Sequence, residues 1–125
     1  MKPQYRILCL LSLALASCTA LAAGANTKTT TLCGWFDNPT PQNVWLTDPI
    51  GEWQVSIQGG PSAQGDWPEF RDSQWVKTNG HYGYGCACMK AVVNRKKMQV
   101  TRIVSAHARP LSACRNDPKV KHLAH

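Results

Sequence analysis

The sequence predicts a small, mainly β domain of two hairpins plus an opening strand, with a short C-terminal helical turn and two disulfide staples. An α+β arrangement is the alternative. Three observations predict this class. Trp53, Val55 and Ile57 alternate with Glu52, Gln54, Ser56 and Gln58, the period of a strand with one buried face. Residues 86–94 and 98–106 are rich in Val and Ile and flank the polar tip Asn94-Arg95-Lys96-Lys97, as in a second hairpin. Four cysteines remain once the N-terminal segment is set aside, an even number suited to bridging a domain too small to rely on its core alone.

That N-terminal segment reads as an export signal. Lys2 and Arg6 flank the start of an uncharged, Leu-rich run of ten residues, 7–16. The run is far short of the ~20 needed to cross a bilayer and has the form of a signal-peptide core. Two processing patterns overlap. Leu15-Ala16-Ser17-Cys18 resembles a bacterial lipobox, which makes Cys18 a lipid-anchor candidate, 1–17 the signal and 18–31 a tether. Ala20-Leu21-Ala22 fits ordinary cleavage after Ala22 and gives a signal of 1–22. No second apolar run follows, so no transmembrane helix is expected in the exported, periplasmic chain, whether lipid-anchored or free.

The remaining elements follow in order. Residues 24–31 are small and polar and suit a tether. A single β-rich domain is expected over 32–118. It opens with a short strand at 32–36, stopped by Asp37-Asn38-Pro39-Thr40-Pro41, because neither proline can donate to a ladder. Strands at 44–47 and 52–58 flank Asp48-Pro49-Ile50-Gly51, a type I turn pattern. Residues 59–73 form a long loop pinned by Trp67 and Phe70, followed by a short strand at 74–78 and an Asn79-Gly80 turn. After the second hairpin, Pro110 suits the first turn of a helix at 110–115. The tail, 119–125, is basic and expected to fray.

Cys86 and Cys88 lie two apart on one strand and therefore share a face. Bonding to each other would close a very small ring of poor geometry, so each should reach a different partner, Cys33 or Cys114. Two connectivities remain: 33–86 with 88–114, or 33–88 with 86–114. A four-cysteine zinc site is the rival, but Cys33 and Cys114 are singletons rather than members of closely spaced pairs. No cofactor and no metal is expected.

Charge is uneven. Residues 19–72 carry two basic against six acidic side chains; residues 73–125 carry ten basic against one acidic. In an exported protein, a basic half points to an acidic partner or an anionic lipid head group rather than nucleic acid. Arg95, Lys96 and Lys97 are binding candidates on the hairpin tip, although lysines there also protect a strand edge. Trp75, His81, Tyr82 and Tyr84 are candidates in and just before a Gly-rich stretch, 78–85, whose glycines bring the backbone close to His81, Tyr82 and Tyr84. His81 has no activated nucleophile marked beside it in the sequence, and no catalytic residue is assigned. A small hydrolase using His81 is a minor alternative.

Several words of the chain resemble a family of small exported bacterial proteins classed only as a domain of unknown function. They are Cys33-Gly-Trp-Phe-Asp-Asn-Pro-Thr-Pro, Gly51-Glu-Trp, the stretch from Trp75 through Gly-His-Tyr-Gly-Tyr-Gly-Cys-Ala-Cys-Met, and Pro110-Leu-Ser-Ala-Cys-Arg-Asn-Asp. The likeness runs from about Cys33 to Pro118. It implies a bacterial envelope protein with a four-cysteine framework and brings no activity with it. The functional expectation is a non-enzymatic binding module using the Gly/Tyr-rich stretch or the basic hairpin. One concrete version is an inhibitor of a cell-wall-acting enzyme.

Overall fold

The computed structural model describes residues 28–123. The expected export signal at 1–22, Cys18 and most of the expected tether lie outside the described residues, as do the last two residues of the tail. Six strands form: β1 (Thr30–Thr40), β2 (Asn43–Thr47), β3 (Glu52–Ser56), β4 (Trp75–Asn79), β5 (Tyr82–Asn94) and β6 (Gln99–Arg109). One short helix follows, α1 (Leu111–Arg115), with 3-10 turns at Asp72–Gln74 and Lys121–Leu123. The chain is mainly β, as its alternation predicts.

The sheet closes on itself. β1, β2 and β3 are an antiparallel meander; β3 runs parallel to β6; β6 pairs antiparallel with β5; and β5 returns to pair with β1. β5 is long enough to take β4 alongside Tyr82–Gly85 and β6 alongside Cys86–Asn94. Five strands in this circuit have the connectivity of an OB-type Greek-key barrel, with β4 added. The connectivity carries no function by itself.

The β3–β6 seam is the weak point of the circuit, with Gln54 opposite Gln99 as its one register pair. Residues 62–64 fill the gap. Ala63 N donates to Val55 O at 2.8 Å on one side, and on the other Ile103 N donates to Gln64 O at 2.7 Å and Gln64 N to Thr101 O at 3.1 Å. The long loop thus spans the two edges that the barrel leaves unpaired.

Inward side chains of all five barrel strands make the core: Leu32, Phe36, Val44, Leu46, Trp53, Val55, Ala87, Met89, Ala91, Val100 and Ile103, with Ala63 from the loop. Burial of each larger aliphatic contributes about 1.5–3 kcal/mol. A second cluster lies on the outer face, where Trp35, Cys86, Cys114 and Val120 pack together. Trp35 is fully buried there, and its indole N–H donates to Val120 O at 2.9 Å. The expected frayed tail is therefore held at its start: Val120 is 2% exposed. Trp53 is buried inside, donating to Asp48 Oδ1 at 3.0 Å, while Trp45, Trp67 and Trp75 are half-buried.

Of the two open connectivities, the structure contains Cys33–Cys88 and Cys86–Cys114. Cys33 sits directly opposite Cys88 on β1 and β5, while Cys86 ties α1 to the barrel wall. Both sulfurs of the Cys-Ala-Cys word thus point outward, as the strand period requires.

Three local expectations differ. β1 begins at Thr30, inside the expected tether, because Thr30 and Thr31 pair with Ala91 and Lys90. It also runs past Pro39 to Thr40, since the β1–β2 register shifts between Asp37 and Thr40 and leaves no ladder bond for Pro39 to donate. The third concerns residues 78–85: β5 starts at Tyr82 rather than at Cys86, so the Gly-rich stretch is a tight hairpin of β4 and β5 turning at Gly80 and His81. Its glycines have a packing reason. A Cβ on Gly83 would collide with the Val76 carbonyl, and one on Gly85 would lie 2.7 Å from Gln74 O and against the Phe70 ring.

Candidate functional site

Strand directions place the two suspected surfaces at opposite ends of the barrel. The β4–β5 turn with His81 shares one end with the β1–β2 turn. The β5–β6 tip shares the other with the β2–β3 turn and the point where the chain enters β1. At that second end, a Cβ on Gly51 would lie 3.1 Å from Met98 Cε, so the two turns touch.

The basic tip is built, not loose. Asn94 and Gln99 are the last paired residues, leaving 95–98 to turn the chain. Lys97 N donates to Asn94 Oδ1 at 3.2 Å and Met98 N to Arg95 O at 3.3 Å. Met98 takes a left-handed φ of 48°, the residue that ends a four-residue hairpin turn. Gln54 N then donates to Met98 O at 2.8 Å, tying the tip to β3. The Arg95 guanidinium lies over the Trp53 ring, 6.0 Å from its centroid, at the limit of a cation–π contact.

Beside the tip is an open cleft of about 780 Å³. Its walls come from the chain entry (Lys28, Thr29, Thr30), the hairpin (residues 92–96, Thr101, Arg102) and Gln64 of the seam. Among the described residues, four cationic side chains line it, Lys28, Arg95, Lys96 and Arg102, and no carboxylate does. Thr101 Oγ1 donates its proton to Val92 O at 3.0 Å. Gathering like charges costs energy that a bound anion recovers. Thr29, Thr30, Asn94 and Gln64 add neutral polar groups suited to anion oxygens.

Among the binding candidates, Arg95 and Lys96 line this cleft, while Lys97 stands exposed on the same tip. Lys28 and Gln64 were invisible as site residues in the sequence, because they arrive through the pairing of Thr30 with Ala91 and the bridge of Gln64 to Arg102. Trp75, His81, Tyr82 and Tyr84 do not form a shared pocket. Trp75 donates its N–H to His81 O at 3.0 Å and packs on Phe70, with centroids 4.8 Å apart. Tyr84 stands edge-on to Trp35 at 5.5 Å, half-buried. His81 is exposed on its turn, against the Tyr82 ring at 4.2 Å, and lines neither described cleft. The other cleft, about 530 Å³, mixes Asp66 and Glu69 with Arg71, His107, Trp67 and Phe70. Among the described residues, all four cysteines are spent in disulfides and no cluster of three or more His, Cys, Asp or Glu is placed to hold a metal. Among the described residues, no helix is long and apolar enough to cross a membrane.

Fold and site together define a small closed β-barrel domain, stapled by two disulfides, with a cationic cleft at one end. The chain belongs to the family described as Protein of unknown function (DUF4087), whose model matches residues 27–121. That span begins beside Lys28 and ends just past buried Val120, so it takes in the whole described barrel and its C-terminal wrap. No curated protein and no solved structure matches it.

Proposed function

We propose that the chain is an exported, non-enzymatic binding module that takes an anionic partner at the cationic cleft. The observation that carries this reading is the convergence of Lys28, Arg95, Lys96 and Arg102 on one cleft whose described lining residues include no carboxylate. Of the two surfaces suspected from the sequence, the basic hairpin is favoured. Gly83 and Gly85 are explained by close packing and Gly80 by its left-handed φ of 60°, and Trp75 and Tyr84 are engaged with neighbours. Export is supported by the apolar run at 7–16 and by two disulfides, which persist in oxidising compartments.

Calorimetric titration of the purified protein with inorganic pyrophosphate tests this reading. Binding is expected at low ionic strength, weakening as salt screens the cleft. It should be abolished in Arg95→Gln/Lys96→Gln/Arg102→Gln. Wild-type protein that gives no heat and no rise in unfolding temperature at low salt contradicts the reading.

A further inference from the structure

We propose that the cleft end of the barrel docks onto the anionic phospholipid head groups of a membrane surface, with Ile50 dipping into the interface. This rests on the anion-binding reading of the cleft and names the source of the anion.

Three observations converge on that end. The first is charge. Arg95, Lys96 and Arg102 line the cleft with Lys28, and Lys97 is exposed on the tip beside them. The second is an exposed apolar side chain. Ile50 and Val104 are the large hydrophobics that the described residues expose, at 65% and 46%. Ile50 stands on the β2–β3 turn, which touches the basic tip through Gly51 and Met98. The turn holds Ile50 outward firmly, because Asp48 Oδ1 accepts from Ile50 N at 2.9 Å, Gly51 N at 3.1 Å and the Trp53 indole N–H at 3.0 Å. A rigid apolar residue among cations is the composition of an interfacial contact, with charge on the head groups and the aliphatic group at the acyl boundary.

The third observation is where the chain enters. Lys28, on the cleft wall, is ten residues after Cys18 and twelve after the end of the apolar run at Ala16. Ten residues reach at most about 36 Å. A membrane-held N-terminus therefore enters the barrel at this end, beside the cleft. Glu52, exposed at the start of β3 on the same end, opposes the attraction. Asp48, also nearby, is 5% exposed and engaged by its three donors.

The test is co-sedimentation of the full chain with vesicles of phosphatidylcholine alone or with one-quarter phosphatidylglycerol. All proteins carry Cys18→Ser, so acylation contributes nothing and the N-terminus is constant. The expected result is preferential partition onto the anionic vesicles. Each cation removed should weaken it about fivefold, taking Arg95→Gln/Lys96→Gln/Arg102→Gln down about 100-fold. Lys77→Gln/Arg115→Gln, which removes two exposed charges away from the cleft, serves as the control and should change partition little. Ile50→Ser should weaken partition roughly threefold to tenfold while leaving pyrophosphate binding intact, a split that loss of folding cannot produce. Pyrophosphate binding without preference for the anionic vesicles overturns the docking proposal but leaves the anion site standing. Wild-type behaviour in the cleft triple variant or in Ile50→Ser also overturns it, as does displacement from vesicles by a single-stranded oligonucleotide at concentrations where pyrophosphate has no effect.

Discussion

Removing the Cys33–Cys88 bridge by Cys33→Ala/Cys88→Ala should cost stability chiefly through the unfolded chain. Cys33 is half-buried and lies opposite Cys88 on strands that remain paired over nine register positions. Truncation to alanine therefore leaves little cavity at Cys33, and at Cys88 it removes one long acceptor contact, 3.8 Å from Arg109 Nη1. The bridge spans 55 residues, for which loop-closure entropy predicts about 4 kcal/mol. A domain of this size is stable by only about 5–10 kcal/mol, so the variant should fold but melt roughly 15–30 °C lower. The Cys86–Cys114 bridge spans 28 residues, and the same estimate gives about 3.5 kcal/mol. Its loss should act differently. Cys86 and Cys114 are buried against Trp35, so Cys86→Ala/Cys114→Ala should release α1 and the Val120 wrap before the barrel opens. Urea unfolding followed by tryptophan fluorescence and by far-ultraviolet circular dichroism separates the cases. The two probes should coincide for the first variant and part for the second, with fluorescence changing earlier. A loss below about 1 kcal/mol for Cys33→Ala/Cys88→Ala would refute the chain-entropy reasoning.

Other outcomes follow from single contacts. Gly83→Ala should lose about 2–3 kcal/mol in urea unfolding, because its methyl group collides with the Val76 carbonyl. Gly80→Ala, at φ 60° with open space around it, should lose only about 1 kcal/mol. Asp48→Ala leaves Ile50 N, Gly51 N and the buried Trp53 N–H without their shared acceptor, and should cost about 2–4 kcal/mol by the same measurement. Ending the chain at Pro118 removes Val120 and the acceptor of the Trp35 N–H. It should cost about 2–3 kcal/mol and shift the emission of Trp35 to the red. His81→Ala/Tyr82→Ala should leave pyrophosphate affinity unchanged in calorimetry, since both residues lie at the far end of the barrel.

Local pattern carried much of this fold. The Val/Ile arms around residues 94–97 and the outward pair Cys86 and Cys88 became what their spacing implies. The alternation expected over 52–58 forms a strand only to Ser56, and Asp48-Pro49-Ile50-Gly51 does turn the chain, but with Gly51 N on the Asp48 side chain rather than on its carbonyl. Closure was not legible, because it depends on pairings between segments far apart in the chain: β1 with β5, β3 with β6, and Gln64 with Arg102. None of these leaves a periodic signal. The cleft was half legible for the same reason. Arg95 and Lys96 are neighbours in sequence, but Lys28 joins them only through the β1–β5 ladder. The reason for the glycines in the Gly/Tyr stretch was not legible, because it lies in neighbours distant in the ladder: at Gly83 and Gly85 the approaching groups are Val76, Gln74 and Phe70.

Amide-resolved NMR during a pyrophosphate titration tests the cationic cleft most directly. Saturable shifts should concentrate at residues 28–30, 92–96 and 101–102 and at Gln64, and should vanish in Arg95→Gln/Lys96→Gln/Arg102→Gln. Shifts centred on residues 80–82, or the same cleft shifts persisting in the triple variant, would contradict an anion site at this end of the barrel.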